Sequence, residues 1–509
     1  MNLARLGFPS LFSGASFSRD FTASIVVFLV ALPLCMGIAI ASGVPPEKGL
    51  ITGIIGGIVV GALAGSPLQV SGPAAGLAVI VFELVRDHGL SALGPILVLA
   101  GAIQFVAGVF RMGGWFRAIS PAVVHGMLAG IGALIVVGQF HVLFDAKPLA
   151  NGLSNLAAMP ARLLGLGTMN VAAAEIAFAI GTLTILSMLV WERVRPASMK
   201  LVPGALIGVL VGTLAAALLG LPIVRVDVPN SIVAAIDAPG QGFLGRMMEP
   251  ALLVTAVAIA FIASAETLLS AAAVDRMHNG VRTDYDKELR AQGVGNLLCG
   301  FAGALPMTGV IVRSSANVQA GAMTRLSAIL HGGWLLAFVA LLPWLLREIP
   351  MAALAGVLVV TGWRLVSVSH VRHLFHHHGP LPVVIWLATF VMVVATDLLT
   401  GVLVGLGLSL LELVPNLRRL RLDVHERHEE EHSEIRLAGA ATFLTIPKLL
   451  KALESIPGHR RQVRLDLRDV PAIDHSSAEM LAEWIQRRRS GGTQVNLDGE
   501  APGLRRMAA

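Results

Sequence analysis

The chain consists largely of apolar runs, each about as long as a membrane helix. Crossing the hydrocarbon core of a bilayer takes roughly 20 apolar residues per helix, and such runs recur until about Asn416, where the composition changes abruptly. Hydrophobic residues make up 55% of the 509 residues and charged residues 14%, with a mean hydropathy of +0.76. The pattern predicts a polytopic α-helical membrane protein and excludes a soluble one. The predicted spans cover residues 20–42, 48–65, 91–111, 121–144, 171–191, 200–220, 250–273, 289–304, 326–346, 351–363, 381–397 and 401–415, with two shorter stretches at 73–86 and 310–324 that bring the count to about 14.

The distribution of basic residues predicts the orientation of these spans. The first apolar run is too long, and is followed by too many others, to be a removable signal peptide. With the amino terminus inside, the loops that carry Arg111, Arg193 and Arg276 also lie inside, as the positive-inside rule requires. We therefore expect an integral protein of a bacterial-type inner membrane with both termini cytoplasmic. The net charge of +6 reflects this orientation and does not indicate a nucleic-acid partner.

Two short interrupted stretches predict a binding site inside the membrane. Val70–Gly76 and Pro306–Arg313 each combine a Gly, Pro or Thr break with an apolar run. Broken helices at corresponding positions of two halves are typical of secondary transporters, and a helix start attracts anions. Pro73 suits the first turn of a helix, so we expect half-helices that begin there and near Gly309. The residues predicted to bind an anion are Gly72, Pro73, Ala74, Ala75, Thr308, Gly309, Val310, Ile311, Val312, Arg313 and Ser314. Small-residue helix packing is the alternative explanation of the first stretch.

Two charged residues stand inside otherwise apolar sequence. Arg313 either neutralises a bound anion or pairs with a carboxylate to lock helices together. Glu266 is suited to carrying a coupling proton or to binding Na⁺, with Ser270 on the same helix face and Thr308 as a further candidate ligand. A buried ion pair between Glu266 and Arg313 is the structural alternative, and it is compatible with a role in transport. Cys35 and Cys299 both lie in apolar runs, and no metal-ligand spacing or cofactor motif is present.

The polar end of the chain predicts a small α/β domain. Strands near Glu434, at 462–467 and at 493–497 alternate with helices at 441–456 and 477–489, which favours a sheet covered by helices. The preceding segment, which includes the histidine-rich stretch 425–432, is interpreted as a solvated linker. The predicted organisation is an amino-terminal segment at 1–19, a membrane domain at 20–416 with repeats at about 20–225 and 245–416, a linker at 417–432 and the small domain at 433–509.

The membrane part resembles the sulfate permease (SulP) family of anion transporters and exchangers. The segments that carry this resemblance are Leu32-Pro33, Val44-Pro-Pro46, Ser71-Gly-Pro73, Glu266-Thr-Leu-Leu, residues 308–324 and Ala395-Thr-Asp-Leu-Leu-Thr-Gly401. The resemblance implies two inverted repeats of about seven spans, core and gate domains, two half-helices that meet at the midplane, an elevator-like movement and a homodimer in membrane lipid. It also implies an acidic residue at the position of Glu266 that couples transport to Na⁺ or H⁺, and a basic residue at the position of Arg313 that lines the site.

The carboxyl-terminal domain resembles a STAS domain through the segment 465–477. In the anti-sigma-factor antagonists that share this module, the residue after the aspartate is a phosphorylated serine. Here the corresponding residues are Asp474 and His475, followed by Ser476, so these three form a candidate regulatory site for a cytoplasmic partner.

These observations favour a secondary active transporter of a small inorganic anion, bicarbonate or sulfate, coupled to Na⁺ or H⁺. One alternative is a nucleobase or organic anion carrier of the same fold, although Arg313 argues against a neutral base. Another is an anion sensor that signals through the STAS-like tail. An enzyme is not expected, because the sequence has no phosphate loop and no nucleophile-base pair.

Overall fold

A computed structural model describes most of the chain and agrees with the predicted membrane class. The described residues are 14–116, 120–149, 151–165, 171–229, 231–278, 280–367, 371–372, 380–412, 422–428, 432–442, 445–456, 462–470, 473, 475–490 and 492–499. Six of the described helices have the length and hydropathy to cross a membrane, and five shorter apolar helices accompany them. The prediction of a polytopic helical protein with a small carboxyl-terminal sheet domain is therefore confirmed.

The helices of the membrane part follow the apolar runs closely. They are α1 (Gly14–Ala41), α2 (Pro46–Leu63), α3 (Ala78–His88), α4 (Leu93–Val109), α5 (Pro121–Leu143), α6 (Gly152–Leu163), α7 (Val171–Val194), α8 (Gly204–Leu218), α9 (Pro250–Met277), α10 (Tyr285–Phe301), α11 (Ile311–Gln319), α12 (Leu326–Leu341), α13 (Met351–Leu365), α14 (Pro380–Ala395) and α15 (Leu398–Glu412). Short helical turns of three to five residues occur at Leu90–Ala92, Gly113–Phe116, Ala197–Met199, Val233–Ala235, Phe243–Met247 and Pro343–Leu346.

The two interrupted stretches form a β-ribbon that the sequence did not predict. Strand β1 (Ser71–Pro73) pairs antiparallel with strand β2 (Met307–Gly309), and Gly72 lies opposite Thr308. The Ala74 N–H extends the ribbon by donating to the Pro306 carbonyl at 3.2 Å. These hydrogen bonds satisfy backbone groups that could not be left unpaired at membrane depth.

The ribbon corrects the predicted start of the first half-helix, whereas the second begins within two residues of the predicted start near Gly309. Pro73 was expected in a helical first turn, but it lies in β1 opposite Met307. Its missing N–H costs nothing there, because proline is tolerated where a short edge strand has no bond to donate. A 3₁₀ turn at Ala75–Leu77 follows, and the α-helical part begins only at Ala78. In the second half, β2 ends at Gly309 and α11 begins at Ile311.

The first compact unit of the chain comprises residues 1–113 and 131–365 and contains the β-ribbon. Glycines let its helices approach closely: a Cβ on Gly101 of α4 would lie 2.7 Å from the Gly293 carbonyl oxygen of α10. Helix α2 contains a π-helical turn at Gly56–Val60. At this turn, a Cβ on Gly57 would lie 2.6 Å from the Cα of Gly332 in α12. Single π turns of this kind are frequent at functional sites.

The second unit comprises residues 114–130 and 366–509. Its membrane helices α14 and α15 pack against each other, and Asp397 caps α15 by accepting from the Thr400 N–H at 2.8 Å. Its carboxyl-terminal domain has strands β3 (Asp423–His428), β4 (His432–Ala438), β5 (Gln462–Asp469) and β6 (Gln494–Asp498), with helices α16 (Ile446–Ser455) and α17 (His475–Ser490). The sheet order is β3-β4-β5-β6, and only the β3-β4 pair of these described strands is antiparallel.

Strand β3 corrects the predicted linker. The stretch 425–432 was interpreted as a solvated connection, but Asp423–His428 pairs along β4, with Val424 opposite Leu437. Leu422, just before the strand, is 2% exposed and belongs to the core of the domain. The charged residues misled the prediction because an edge strand with one solvated face tolerates many charges. The small domain therefore includes residues that the sequence assigned to the linker.

Candidate functional site

Two helix starts flank the β-ribbon. The 3₁₀ turn before α3 has Ala74 as its N-cap and α11 has Val310, and neither side chain caps its helix. The N–H groups of a first turn have no partner inside the helix, and they carry part of the positive end of the helix dipole. The backbone N–H groups of these two helix starts are the ones that the sequence predicted to bind an anion.

Arg313 of α11 is the most informative side chain of the site. It is 0% exposed, and its Nε, Nη1 and Nη2 atoms have no hydrogen-bond partner among the described residues. Nη1 lies 2.1 Å from the position that a Cβ on Gly72 would take. Leaving a buried charge unpaired costs several kcal/mol, roughly 3–5 when one member of a buried pair is removed. A ligand with negative charge would satisfy this guanidinium.

Glu266 of α9 contacts the 3₁₀ turn that follows β1. Its Oε1 lies 1.5 Å from the position of a Cβ on Gly76, and the Thr308 side chain is a polar neighbour of the carboxyl. The structural alternative, an ion pair between Glu266 and Arg313, is not formed, because the guanidinium nitrogens have no acceptor among the described residues. Arg313 lies against Gly72 in β1, whereas Glu266 lies against Gly76 in the turn that follows.

Ser270 lies one turn beyond Glu266 on α9, as the four-residue spacing predicted. It is 1% exposed, and its Oγ has no partner among the described residues. Glu266, Ser270 and Thr308 thus remain a candidate set of oxygen atoms for a coupling ion. No group of three or more His, Cys, Asp or Glu suited to a metal ion occurs in the described part of the chain.

Other residues of the predicted anion set have less direct roles. The Ser314 hydroxyl donates to the Val310 carbonyl at 2.7 Å and accepts from the Val70 N–H at 2.9 Å, so it ties α11 to the residue before β1. Its hydroxyl proton is therefore engaged by the Val310 carbonyl, and the role of Ser314 in anion binding stays a prediction. The apolar side chains of Ile311 and Val312 are 41% and 47% exposed, so only their backbone groups are candidates for anion contacts.

A polar network behind the ribbon was missed by the sequence reasoning. The Asn296 amide accepts from the Met307 N–H at 2.8 Å and donates to the Met307 carbonyl at 3.2 Å and to Gln104 at 2.7 Å. Gln292 donates to the Ser71 hydroxyl at 2.6 Å. The signal that could have identified them is the recurrence of Glu288, Gln292 and Asn296 at four-residue spacing along α10, which places them on one helix face.

The candidate regulatory residues of the carboxyl-terminal domain lie partly outside the described residues. Asp474 is outside them, whereas the backbone of His475 and Ser476 forms the first turn of α17. These positions therefore remain a prediction from the sequence.

The two parts of the chain match two known sequence profiles. Residues 17–389 match the profile of the sulfate permease family, and residues 424–509 match that of the Mlab-type STAS domain. YvdB of Bacillus subtilis (strain 168), which carries the name of a sulfate transporter, is 32% identical over 429 residues, covering 82% of this chain and 76% of the relative.

Two solved structures have the same fold. The transmembrane domain of the cyanobacterial bicarbonate transporter BicA aligns with a TM-score of 0.66 at 22% identity, covering 77% of this chain and 98% of that domain. The murine anion transporter Slc26a9 aligns with a TM-score of 0.68 at 15% identity, covering 98% of this chain and 88% of that protein. These alignments support the predicted membrane fold and the presence of the small carboxyl-terminal domain.

Proposed function

Because this chain belongs to the sulfate permease family, we propose that it is a secondary active transporter of a small inorganic anion, bicarbonate or sulfate, driven by Na⁺ or H⁺. It is an integral membrane protein of a sulfate and bicarbonate transporter family and not an enzyme. The observation that carries the proposal is Arg313, a fully buried guanidinium without a hydrogen-bond acceptor among the described residues. A neutral nucleobase would leave this charge uncompensated, so the same residue disfavours the nucleobase alternative.

The anion binds at Arg313 and the starts of the two half-helices. Arg313 supplies one full positive charge and a fork of donors that suits a planar or tetrahedral oxyanion. The helix starts at Ala75 and Ile311 add partial positive charge without a side chain that must be desolvated. Because Gly72 has no side chain, Arg313 can occupy the space beside it, and any side chain there would collide with Nη1.

Glu266 supplies the coupling to a cation. With Glu266 ionised, the empty site holds one positive and one negative charge, and a bound monovalent anion makes it net negative. A proton on Glu266, or Na⁺ held by Glu266, Ser270 and Thr308, restores neutrality. Moving a net charge through a low-dielectric environment is costly. The binding site therefore crosses the membrane more readily when it is empty, or when it holds both the anion and the cation, than when it holds the anion alone.

The remaining predicted features are parts of the same proposal. The anion moves with a core domain past a gate domain in an elevator-like step. The protein is a homodimer in the inner membrane, and both termini lie in the cytoplasm. The STAS-like domain, at 433–509 with β3 added, is a regulatory module for a cytoplasmic partner.

The test is uptake of labelled bicarbonate and sulfate into proteoliposomes under separate Na⁺ and pH gradients. We expect uptake of at least one anion that depends on one of the gradients. In Arg313→Ala, the concentration for half-maximal uptake should rise by about tenfold or more, because a hydrogen bond to a charged group contributes about 1.5–3 kcal/mol.

The matched control is Arg325→Ala, which removes a partly exposed arginine that donates to the Ala62 carbonyl at 2.9 Å. It should leave the half-maximal concentration within about twofold, as expected of a surface group. Wild-type protein that takes up neither anion under either gradient contradicts the proposal.

A further inference from the structure

A second set of buried polar groups lies against Arg313, on residues that the proposed mechanism does not use. Helix α2 brings them together: a Cβ on Gly53 would lie 2.7 Å from the Cys35 Sγ, one on Gly56 would lie 3.2 Å from the Gly72 nitrogen, and one on Gly57 would lie 2.9 Å from Nδ1 of His331. Gly72 is the residue against which Nη1 of Arg313 lies. Cys35, His331 and Arg313 are each 0% exposed. We call these three side chains together with Gly72 the Arg313 pocket. All of its members belong to the same compact unit.

The hydrogen bond of His331 defines which ring nitrogen carries the proton. Nδ1 lies 3.1 Å from the carbonyl oxygen of Ala328. A carbonyl oxygen can only accept, so Nδ1 is the donor. An imidazole is neutral at the mildly alkaline pH at which bicarbonate predominates. Nε2 is therefore a hydrogen-bond acceptor.

This acceptor has no donor in the described part of the chain. Nε2 of His331 is buried without a hydrogen-bond partner, and the same is true of the three guanidinium nitrogens of Arg313. The two side chains belong to the same pocket, yet they do not hydrogen-bond to each other. A buried polar atom left unpaired costs about 1–3 kcal/mol, so both residues are unsatisfied until something binds between or beside them.

Helix α2 holds the imidazole in place. A Cβ on Gly57, inside the π-helical turn, would lie 2.9 Å from Nδ1 of His331. The ring therefore packs directly against the backbone of that turn. Together with the bond to Ala328, this contact restricts the directions in which Nε2 can point. A restrained acceptor discriminates between ligands better than a mobile one.

We propose that Nε2 of His331 is a specificity-determining acceptor that selects anions carrying an O–H group. This inference rests on the proposed anion transport and deepens it. Nitrate, chloride and sulfate offer only acceptors, so they can satisfy Arg313 but leave Nε2 unpaired. Bicarbonate offers deprotonated oxygens to the guanidinium and one O–H to Nε2. The pocket has the unpaired donors and the unpaired acceptor that such an anion requires.

The test compares bicarbonate with nitrate, which has the same charge and the same trigonal planar shape but no O–H. Inhibition of labelled anion uptake by each is measured at mildly alkaline pH, where bicarbonate predominates. Wild-type protein should prefer bicarbonate by about tenfold or more, because sites that hydrogen-bond a ligand hydroxyl reject analogues that lack it. His331→Leu should lose this preference while still binding nitrate. His331→Gln, which can present an acceptor oxygen, should retain part of it.

The control is His141→Leu, which removes another buried histidine whose Nε2 lies 3.0 Å from the Asn155 carbonyl. Its bicarbonate-to-nitrate ratio should equal that of wild type. Equal inhibition by the two anions in wild type, or an equal loss of both in His331→Leu and His331→Gln, overturns the inference while leaving anion transport intact. If no inorganic anion is transported or bound by wild type, the proposed function itself fails.

Discussion

Gly72 of β1 and Gly76 of the 3₁₀ turn that follows it are in direct contact with the two charged side chains of the site. A Cβ on Gly72 would collide with Arg313, and one on Gly76 would collide with Glu266. The sequence pointed to both charges because each interrupts an apolar run. It could not show which face of the ribbon each one meets, and so it left open an ion pair that does not form. That choice depends on contacts between α9, α11 and β1, which are far apart in the chain.

At the level of single residues, Glu266→Gln tests the coupling. The amide keeps the shape of the side chain but can neither ionise nor supply a negative charge to Na⁺. We expect anion uptake that no longer responds to the Na⁺ or pH gradient, with the thermal stability of the purified protein preserved. Gradient dependence is measured in proteoliposomes, with Glu249→Gln at the N-cap of α9 as the control. A gradient response equal to that of wild type would show that Glu266 is not the coupling residue.

His331 and Asn296 illustrate what residue-level reasoning misses. A single histidine or asparagine in an apolar helix can be a hydrogen-bonded residue of the core or a residue that binds a ligand, and the sequence does not distinguish the two. Their importance follows from partners elsewhere in the chain: Asn296 bonds both backbone groups of Met307, and His331 packs against Gly57 of α2, next to the glycine that approaches Gly72. Neither relation can be inferred from the spacing of residues on one helix.

At the level of elements, the predicted spans correspond to helices with ends shifted by a few residues, whereas helix α6 and the β-ribbon were not predicted. A helix of 15 or more residues has an apolar composition that can be recognised in the sequence. Strands of three residues have no measurable alternation, and Gly72 and Thr308 pair across 236 positions of the chain. Because of this pairing, the first half-helix begins at Ala78 and not at Pro73, where it was predicted to begin. Each half-helix begins just after a strand of the ribbon, so the strand pairing determines where it begins.

Gly72→Ala tests the position of Arg313 against this strand. The new methyl group would stand 2.1 Å from Nη1, so the guanidinium, which is the flexible end of its side chain, must move. We expect a folded protein whose half-maximal anion concentration rises about tenfold, since a shift of this size disrupts a charged hydrogen bond. The measurement is anion uptake together with thermal unfolding.

Gly333→Ala is the matched control for that variant. A Cβ there meets no atom within 4 Å, and alanine is the better helix former by about 1 kcal/mol. Uptake should match wild type, and stability should be equal or slightly higher. An unchanged anion affinity in Gly72→Ala would contradict the proposed position of the bound anion.

At the scale of the whole molecule, the carboxyl-terminal domain has a core of its own. Its buried residues come from the residue before β3, from β4 to β6 and from the two helices, and include Leu422, Ile435, Leu465 and Ile485. Val424 of β3 is partly buried against them. The composition change near Asn416 identified such a domain. The composition change did not reveal the first strand of the domain, because β3 is rich in charged residues and becomes recognisable only through its pairing with β4.

Two fragments test this boundary. Residues 422–509 should fold cooperatively in solution, whereas residues 433–509 should be unfolded or much less stable. The shorter fragment loses the β3-β4 hydrogen bonds and the burial of Leu422, and full burial of a leucine contributes about 1.5–3 kcal/mol. This is a large share of the roughly 5–15 kcal/mol that stabilises a domain. Circular dichroism during thermal unfolding measures both, and equal midpoints would contradict a structural role for β3.

The sequence by itself determined the membrane class, the approximate spans, the small domain and the two conspicuous charges, because apolar length and buried charge are local properties of the chain. Only the tertiary structure decided that the broken stretches pair as strands, that Glu266 and Arg313 stay apart, and that His331 lies beside Arg313. Each of these depends on which backbone segments approach across two halves of the chain, and the contacts that decide this join residues hundreds of positions apart.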